Sequence, residues 1–210
     1  MVDRARPGAD GAPAAPVIRV TGGALRGRTL PARVPEGVRP TAGRVREAVF
    51  SMVGQDLRGW SVLDLFGGSG LIGIEAASRG AAPVVIVERN PKAAAAIRRN
   101  LEALDHPAML RVGDAASPPA GPFDFIYLDP PFKEDVAPWV ARVAPLCLRV
   151  IVAEARAGSP VPAPPGGWRL ERTRVYGDTQ VALYVRIGAV TGAQEVDEVL
   201  DDPGVVEDDG

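Results

Sequence analysis

From Ser61 onward the apolar positions fall into two alternating patterns. VLDLF, VVIVE, AMLRVGD, FDFIYL and LRVIVAE are short runs that read as buried strands. Between them, IGIEAASRG, NPKAAAAIRRNLEAL and DVAPWVARVAPL carry apolar residues at helical spacing. Asn90 is placed to cap the second of these helices, with Pro91 at its first position. Pro138 should start or interrupt the third. WRLERTRVYGDTQVALYVRI then reads as two long strands turning near Gly177-Asp178. Strand–helix alternation closed by a hairpin predicts an α/β, Rossmann-like fold. Its seven-stranded sheet should be largely parallel, with a C-terminal antiparallel hairpin.

Ahead of Ser61 the pattern is different. VIRVTGG (17–23) and ALRGRTLP (24–31) alternate like two short strands joined at Gly22-Gly23. Thr41 is placed to cap a helix through AGRVREAVFSMVG, whose apolar face is Val45, Val49 and Met52. The expected organisation is a disordered stretch over 1–16, a small basic hairpin-and-helix extension over 17–58, the main domain over 59–188, and an acidic disordered tail over 189–210.

Composition narrows the chemistry. The chain has 210 residues, one cysteine (Cys147) and one histidine (His106), so neither an internal disulfide nor a Cys/His metal cluster is available, and no metal is expected. Cys147 lies in an apolar strand and reads as an inert core thiol; His106, in a DHP turn, reads as a solvated loop residue. No apolar run is long enough to span a membrane and the N-terminus has no apolar core, so a cytoplasmic location and no membrane partner are expected. Nothing suggests an obligate protein partner, and a monomer is expected.

The net charge of −2 hides an asymmetry. Ala189–Gly210 holds eight acids and no bases, whereas Met1–Gly188 holds 24 bases against 18 acids. Met1–Arg58 alone has ten arginines and five acids. A basic front end suits a polyanionic partner.

The strand VLDLF runs into GSGLIG (68–73), a match to G-x-G-x-x-G, and Glu88 follows Gly68 by twenty positions. The loop alone fits a dinucleotide or another nucleoside cofactor equally well. Asp64, inside the strand that leads into it, distinguishes them: a carboxylate there repels a pyrophosphate and favours a cofactor with an amino group and a sulfonium, such as S-adenosylmethionine. Glu88 can accept ribose hydroxyls, and Asp114, closing the third strand, can reach an adenine amine. All three fall at the carboxyl ends of strands, where open α/β sheets bind ligands.

Asp129-Pro130-Pro131-Phe132 directly follows the apolar strand FDFIYL. This motif fits methyl transfer to the exocyclic amine of a base, a poor nucleophile because its lone pair is delocalised into the ring. Asp129 and the Pro130 carbonyl can accept its two N–H bonds, the prolines preorganise these acceptors, and Phe132 offers a face for an unstacked base. Phe125 and Tyr127 alternate within the strand and read as core, and Trp139 reads first as packing and second as a lining of the base pocket.

The order of DLFGGSGLIGIEAASRGA, VERN and LDPPF resembles class I S-adenosylmethionine-dependent methyltransferases acting on amino groups of bases. IRVTGGALRGRTLP and RPTAGRVREAVF, ahead of the glycine loop, resemble more specifically the RsmD-type 16S rRNA (guanine-N2)-methyltransferase family, over roughly 17–187. The resemblance implies the class I methyltransferase fold and methylation of one guanine in 16S rRNA, within the 30S subunit or an assembly intermediate. It leaves two departures: Gly68, where alanine is expected, and the acidic tail.

The cofactor bed is placed on Asp64, Phe66, Gly67, Gly68, Ser69, Gly70, Glu88, Arg89 and Asp114, and the catalytic motif on Asp129, Pro130, Pro131 and Phe132. The resemblance also implies a task for the basic N-terminus: Arg26 and Arg28 on the hairpin, with Arg39, Thr41, Arg44 and Arg46 around the first helix, would meet RNA phosphates. A solvated helix face, with Arg44 and Glu47 as an i,i+3 pair, is the plainer reading of the same residues. An adenine-N6 methyltransferase of DNA or RNA would use the same Asp-Pro-Pro-Phe, and a non-catalytic rRNA-binding assembly factor could keep the same fold. A NAD-dependent oxidoreductase accounts for neither Asp64 nor that motif.

Overall fold

The computed structural model describes residues 18–32, 42–106 and 108–189. The predicted segment 1–16, the predicted tail 189–210 apart from Ala189, and the predicted residues Arg39 and Thr41 lie outside the described residues. Seven strands form one sheet: β1 (Val62–Asp64), β2 (Val84–Glu88), β3 (Met109–Val112), β4 (Phe123–Leu128), β5 (Cys147–Arg156), β6 (Trp168–Tyr176) and β7 (Thr179–Arg186). Their order is β3-β2-β1-β4-β5-β7-β6, with the first five mutually parallel and β7 antiparallel to both β5 and β6. The order reverses between β1 and β4, so their carboxyl ends open a crevice at the switch point of the sheet.

Four helices cover the two faces. Val49 and Phe50 of α1 (Gly43–Val53), Ile72 and Ile74 of α2 (Leu71–Ser78), and Ile97 and Leu101 of α3 (Pro91–Leu104) form one core with Val62, Ile86, Phe125 and Val152. Val140 and Val143 of α4 (Ala137–Val143) pack on the opposite face against Leu63, Ile126 and Ile151. Apolar residues occupy successive strand positions because both faces are covered. Asn90 caps α3 as expected, accepting from Lys92 N at 2.9 Å and Ala93 N at 3.2 Å. Pro138 stands in the first turn of α4, so it starts that helix and does not interrupt it.

The N-terminal hairpin is shorter than the pattern suggested. Val20 N donates to Arg28 O and Leu30 N to Ile18 O, but the chain reverses over Gly22–Gly27 and does not turn at Gly22-Gly23. Those two glycines are used elsewhere. Ala24 N donates to Ser78 O, Ser78 Oγ donates to Gly22 O, and a Cβ on Gly23 would stand 1.9 Å from Ser78 O. A two-residue turn is given up so that the backbone can press against the end of α2.

Ala42 occupies the cap position of α1 and makes no side-chain cap. His106 is half-buried after α3 and not fully solvated: its Nδ1 accepts from Ala108 N at 3.2 Å, and burial pushes its pKa down. Cys147 is buried at the start of β5, where desolvation pushes the thiol up to about 12, as befits an inert core cysteine.

Candidate functional site

Two acids, Glu88 and Asp64, bond the glycine motif. Gly67 N donates to Val87 O at 2.7 Å, tying the loop to β2. Gly68 takes a left-handed φ of +52° and donates its N–H to Glu88 Oε2 at 2.7 Å. Glu88 Oε1 accepts Asn90 N at 2.6 Å, so one carboxylate joins the glycine loop to the start of α3. Gly73 N, inside α2, donates to Asp64 Oδ2 at 3.2 Å. A Cβ on Gly73 would meet Ile86 at 2.4 Å, so the last glycine of the motif lets α2 lie on β2.

Asp64 is 1% exposed and its Oδ1 has no hydrogen-bond partner among the described residues. Burial, reinforced by the charges of Asp129 and Glu88, raises its pKa to about 7. A second acceptor atom buried without a donor is costly unless a ligand supplies one.

Beyond the strand ends lies a cavity of about 720 Å³, within the range of small-molecule sites. Phe66, Gly68, Glu88, Arg89 and Asp114 line one side of it. Asp129, Pro130, Pro131 and Phe132 line another, so the structure brings these two predicted groups together. Asp64, Gly67, Ser69 and Gly70 are buried behind the lining and do not form it. Gly67 and Gly70 face inward because added Cβ atoms would meet Ile86 at 2.7 Å and Ile97 at 3.0 Å. Asp114 is exposed; its Oδ1 accepts Ala116 N at 2.8 Å, and Arg89 approaches it at 3.9 Å.

Trp139 takes the second of its two readings. It stands in the cavity wall, edge-on to Phe66 with ring centroids 5.0 Å apart. Arg142 lies 5.6 Å over its ring and donates to Ala116 O at 2.8 Å, tying α4 to the loop after β3. Phe132 is 39% exposed at the cavity wall. Reading the sequence also missed Glu154 and Tyr176, which line the cavity. Glu154 had a visible signal: it too is an acid near the end of an apolar strand, LRVIVAE.

Arg46 is a clear correction among the predicted RNA contacts. It is 5% exposed, its Nε lies 3.4 Å from Glu75 Oε1, and it donates to Arg19 O at 3.0 Å. Glu75 is fully buried in α2 and also pairs with Arg79, so Arg46 is consumed in balancing an internal charge and does not face solvent. Arg26, Arg28 and Arg44 are exposed.

The chemistry of the donor set can now be weighed. Gly68 and Gly73 have given their amides to carboxylates, and Gly70 has given its amide to Gly67 O. A pyrophosphate needs those amides free and meets Asp64, Glu88 and Asp129 instead. The residues present fit a cationic nucleoside cofactor.

Comparison with known proteins agrees with this architecture. The family model described as "Conserved hypothetical protein 95" matches residues 18–185. YlbH of Bacillus subtilis, provisionally named an rRNA methyltransferase, is 35% identical over 185 residues, covering 81% of this chain and 100% of its own. Ribosomal RNA small subunit methyltransferase D of Escherichia coli is 31% identical over 189 residues, covering 80% and 90%. Among solved structures, Escherichia coli yhhF, provisionally titled a methyltransferase, superposes with a TM-score of 0.72 at 30% identity, covering 81% of this chain and 98% of its own.

Proposed function

The chain belongs to the conserved hypothetical protein 95 family, that of the small-subunit ribosomal RNA methyltransferase D proteins, and from that premise we propose that it methylates the N2 amine of a guanine in 16S rRNA. The observation that carries the reading is the placement of two acids at adjacent strand ends: Asp64, a buried carboxylate closing β1 with an oxygen that no described residue satisfies, and Asp129, directly after the neighbouring β4.

S-adenosylmethionine, when bound, supplies an electrophilic methyl group on a cationic sulfonium. Asp64, buried behind the glycine loop, supplies the negative charge that favours its positive part, and Glu88 accepts its ribose hydroxyls from the cavity wall. Phe66 and Trp139 enclose its apolar surface, and Asp114 and Arg89 stand at the rim. Asp129 and the Pro130 carbonyl accept the two N–H bonds of the target amine and turn its lone pair out of conjugation. Asp129 is then the base to which the amine's surplus proton passes. Phe132 stacks on the unstacked base. Arg44, between the cavity-lining Ala42 and Val45, neutralises phosphates beside the site, whereas Arg26 and Arg28, near the far ends of α2 and α3, meet phosphates further along the RNA, in a small subunit or its precursor.

The test uses small subunits from a strain lacking this activity, incubated with the protein and methyl-labelled S-adenosylmethionine, then digested to nucleosides. Label in N2-methylguanosine, mapped to one position and reduced at least roughly 100-fold by Asp129→Ala, is the expected result. Label in N6-methyladenosine, no label in rRNA, or an unaffected Asp129→Ala variant would overturn the reading.

A further inference from the structure

Glu154 lies deep in the cavity and the proposed methyl transfer leaves it without a task. It is 3% exposed on β5 and lines the cavity beside Asp129 and Pro130. The register explains its position. Leu128 of β4 pairs with Ala153 of β5 in parallel, so Asp129 and Glu154 are the next neighbours along the two strands. Tyr127 pairs with Val152, and Tyr127, Asp129 and Glu154 therefore share one face of the sheet. The Tyr127 hydroxyl donates to Glu154 Oε1. Tyr127 is itself fully buried, and that burial, with the charges of Glu154 and Asp129, holds its hydroxyl well above the ordinary tyrosine range. The phenol therefore remains a donor at any working pH and fixes Glu154 as an acceptor aimed from the cavity wall.

We propose that Glu154 is the residue that selects guanine: it accepts the ring N1–H of the target base while Asp129 accepts the adjacent N2 amine. This rests on the methyltransferase reading above and adds to it the origin of base selectivity.

The argument is one of matching edges. Guanine presents two neighbouring donors on its Watson–Crick edge, the N1–H and the N2 amine, and two carboxylates on adjacent strand ends present two neighbouring acceptors. Adenine presents an amine beside a bare N1 lone pair. That lone pair would face the Glu154 carboxylate with like polarity and offer it no hydrogen bond in exchange for the water displaced. Sites built to bond a substrate N–H reject analogues lacking it far more strongly than sites that only measure shape. An Asp-Pro-Pro-Phe motif by itself serves either purine, so Glu154 supplies the distinction the motif lacks.

The experiment uses the full chain and small subunits rebuilt with rRNA carrying, at the mapped position, either guanosine or 2-aminopurine riboside. The analogue keeps the 2-amine and lacks the N1–H. The unmodified protein should favour guanosine by a factor of roughly 100 or more in kcat/KM. Glu154→Gln, whose amide can donate to a bare N1, should lose activity on guanosine and shrink that preference at least tenfold. Tyr127→Phe, which keeps the ring in the core, should lower activity on guanosine less and weaken the preference in the same direction.

Equal loss on both substrates in both variants, with the preference intact, would overturn the role of Glu154 while leaving the methyltransferase reading standing. Absence of transfer to guanosine by the unmodified protein would overturn that reading and this inference together. Circular dichroism and melting temperature of both variants confirm that a folded protein is compared.

Discussion

Thr21 donates its backbone N–H to Glu75 Oε1 at 2.7 Å and its hydroxyl to Glu75 Oε2 at 2.9 Å, across 54 positions of sequence. The segment ahead of α1 is thereby fastened to α2, the helix that follows the glycine loop. Arg46 from α1 and Arg79 from the end of α2 reach the same carboxylate, and Arg79 also lies 4.0 Å over the Phe50 ring. One buried glutamate thus holds the basic N-terminal segment, the first helix and the wall behind the cofactor bed in a single unit.

Glu75→Gln should therefore cost about 3–5 kcal/mol of stability, because two buried guanidinium groups lose their counter-charge. Urea unfolding at neutral pH measures it. A loss below about 1 kcal/mol would mean that the cluster relaxes to let water in.

The arginines divide into two classes with opposite signatures. Arg46→Ala should lower the unfolding midpoint, since it strips the buried Glu75 of one partner. Arg26→Ala and Arg44→Ala should leave the unfolding free energy within about 0.5 kcal/mol, as exposed substitutions do. Each of the latter two should weaken rRNA binding and reduce the slope of log affinity against log salt by about one. Filter binding across a salt series separates the classes.

This division marks where the sequence was legible and where it was not. The strand–helix alternation, the Asn90 cap and the turn at Gly177-Asp178 depend on local chemistry, and all appear as read. The acids at strand ends were legible for the same reason: an ionisable group closing an apolar strand is conspicuous. Arg46 was not, because a helical arginine looks the same whether it meets water or a glutamate buried 29 positions later. The hint lay in Glu75 itself, a lone charge within the otherwise apolar and small residues of IGIEAAS. Likewise Gly22-Gly23 looks like a hairpin turn until the end of α2 is placed against it.

Trp139 and Phe66 form the aromatic edge of the cavity, and Arg142 sits over the outer face of the indole. Binding of S-adenosylhomocysteine should therefore change the fluorescence of this tryptophan. Trp139→Ala should remove most of the signal change and weaken binding by roughly tenfold, the scale of one lost aromatic contact of about 1–1.5 kcal/mol. Fluorescence titration reads the first effect and calorimetry the second. Unchanged affinity would place the adenosine away from this wall.

Asp64 makes the protein's stability and its cofactor affinity run in opposite directions with pH. Its folded pKa is about 7, raised first by burial and then by the charges of Asp129 and Glu88, whereas an unfolded aspartate titrates near 3.9. Between those values the folded chain holds a proton that the unfolded chain has released, so this group's contribution falls as pH rises from about 4 to 7 and stays low above. The full span is on the order of 4 kcal/mol, since each unit is worth about 1.36 kcal/mol. Asp64→Asn should flatten the unfolding free energy across that window and be the more stable protein at pH 8, as urea titrations at several pH values would show. A cationic ligand inverts the preference, because it needs the carboxylate that the empty fold resists. Affinity for S-adenosylmethionine should rise up to tenfold per pH unit below about 7 and level off above it, and Asp64→Asn should bind weakly with little pH dependence. Calorimetry at pH 5.5, 6.5 and 8 decides the matter: a flat profile in the unmodified protein would separate Asp64 from the bound cation.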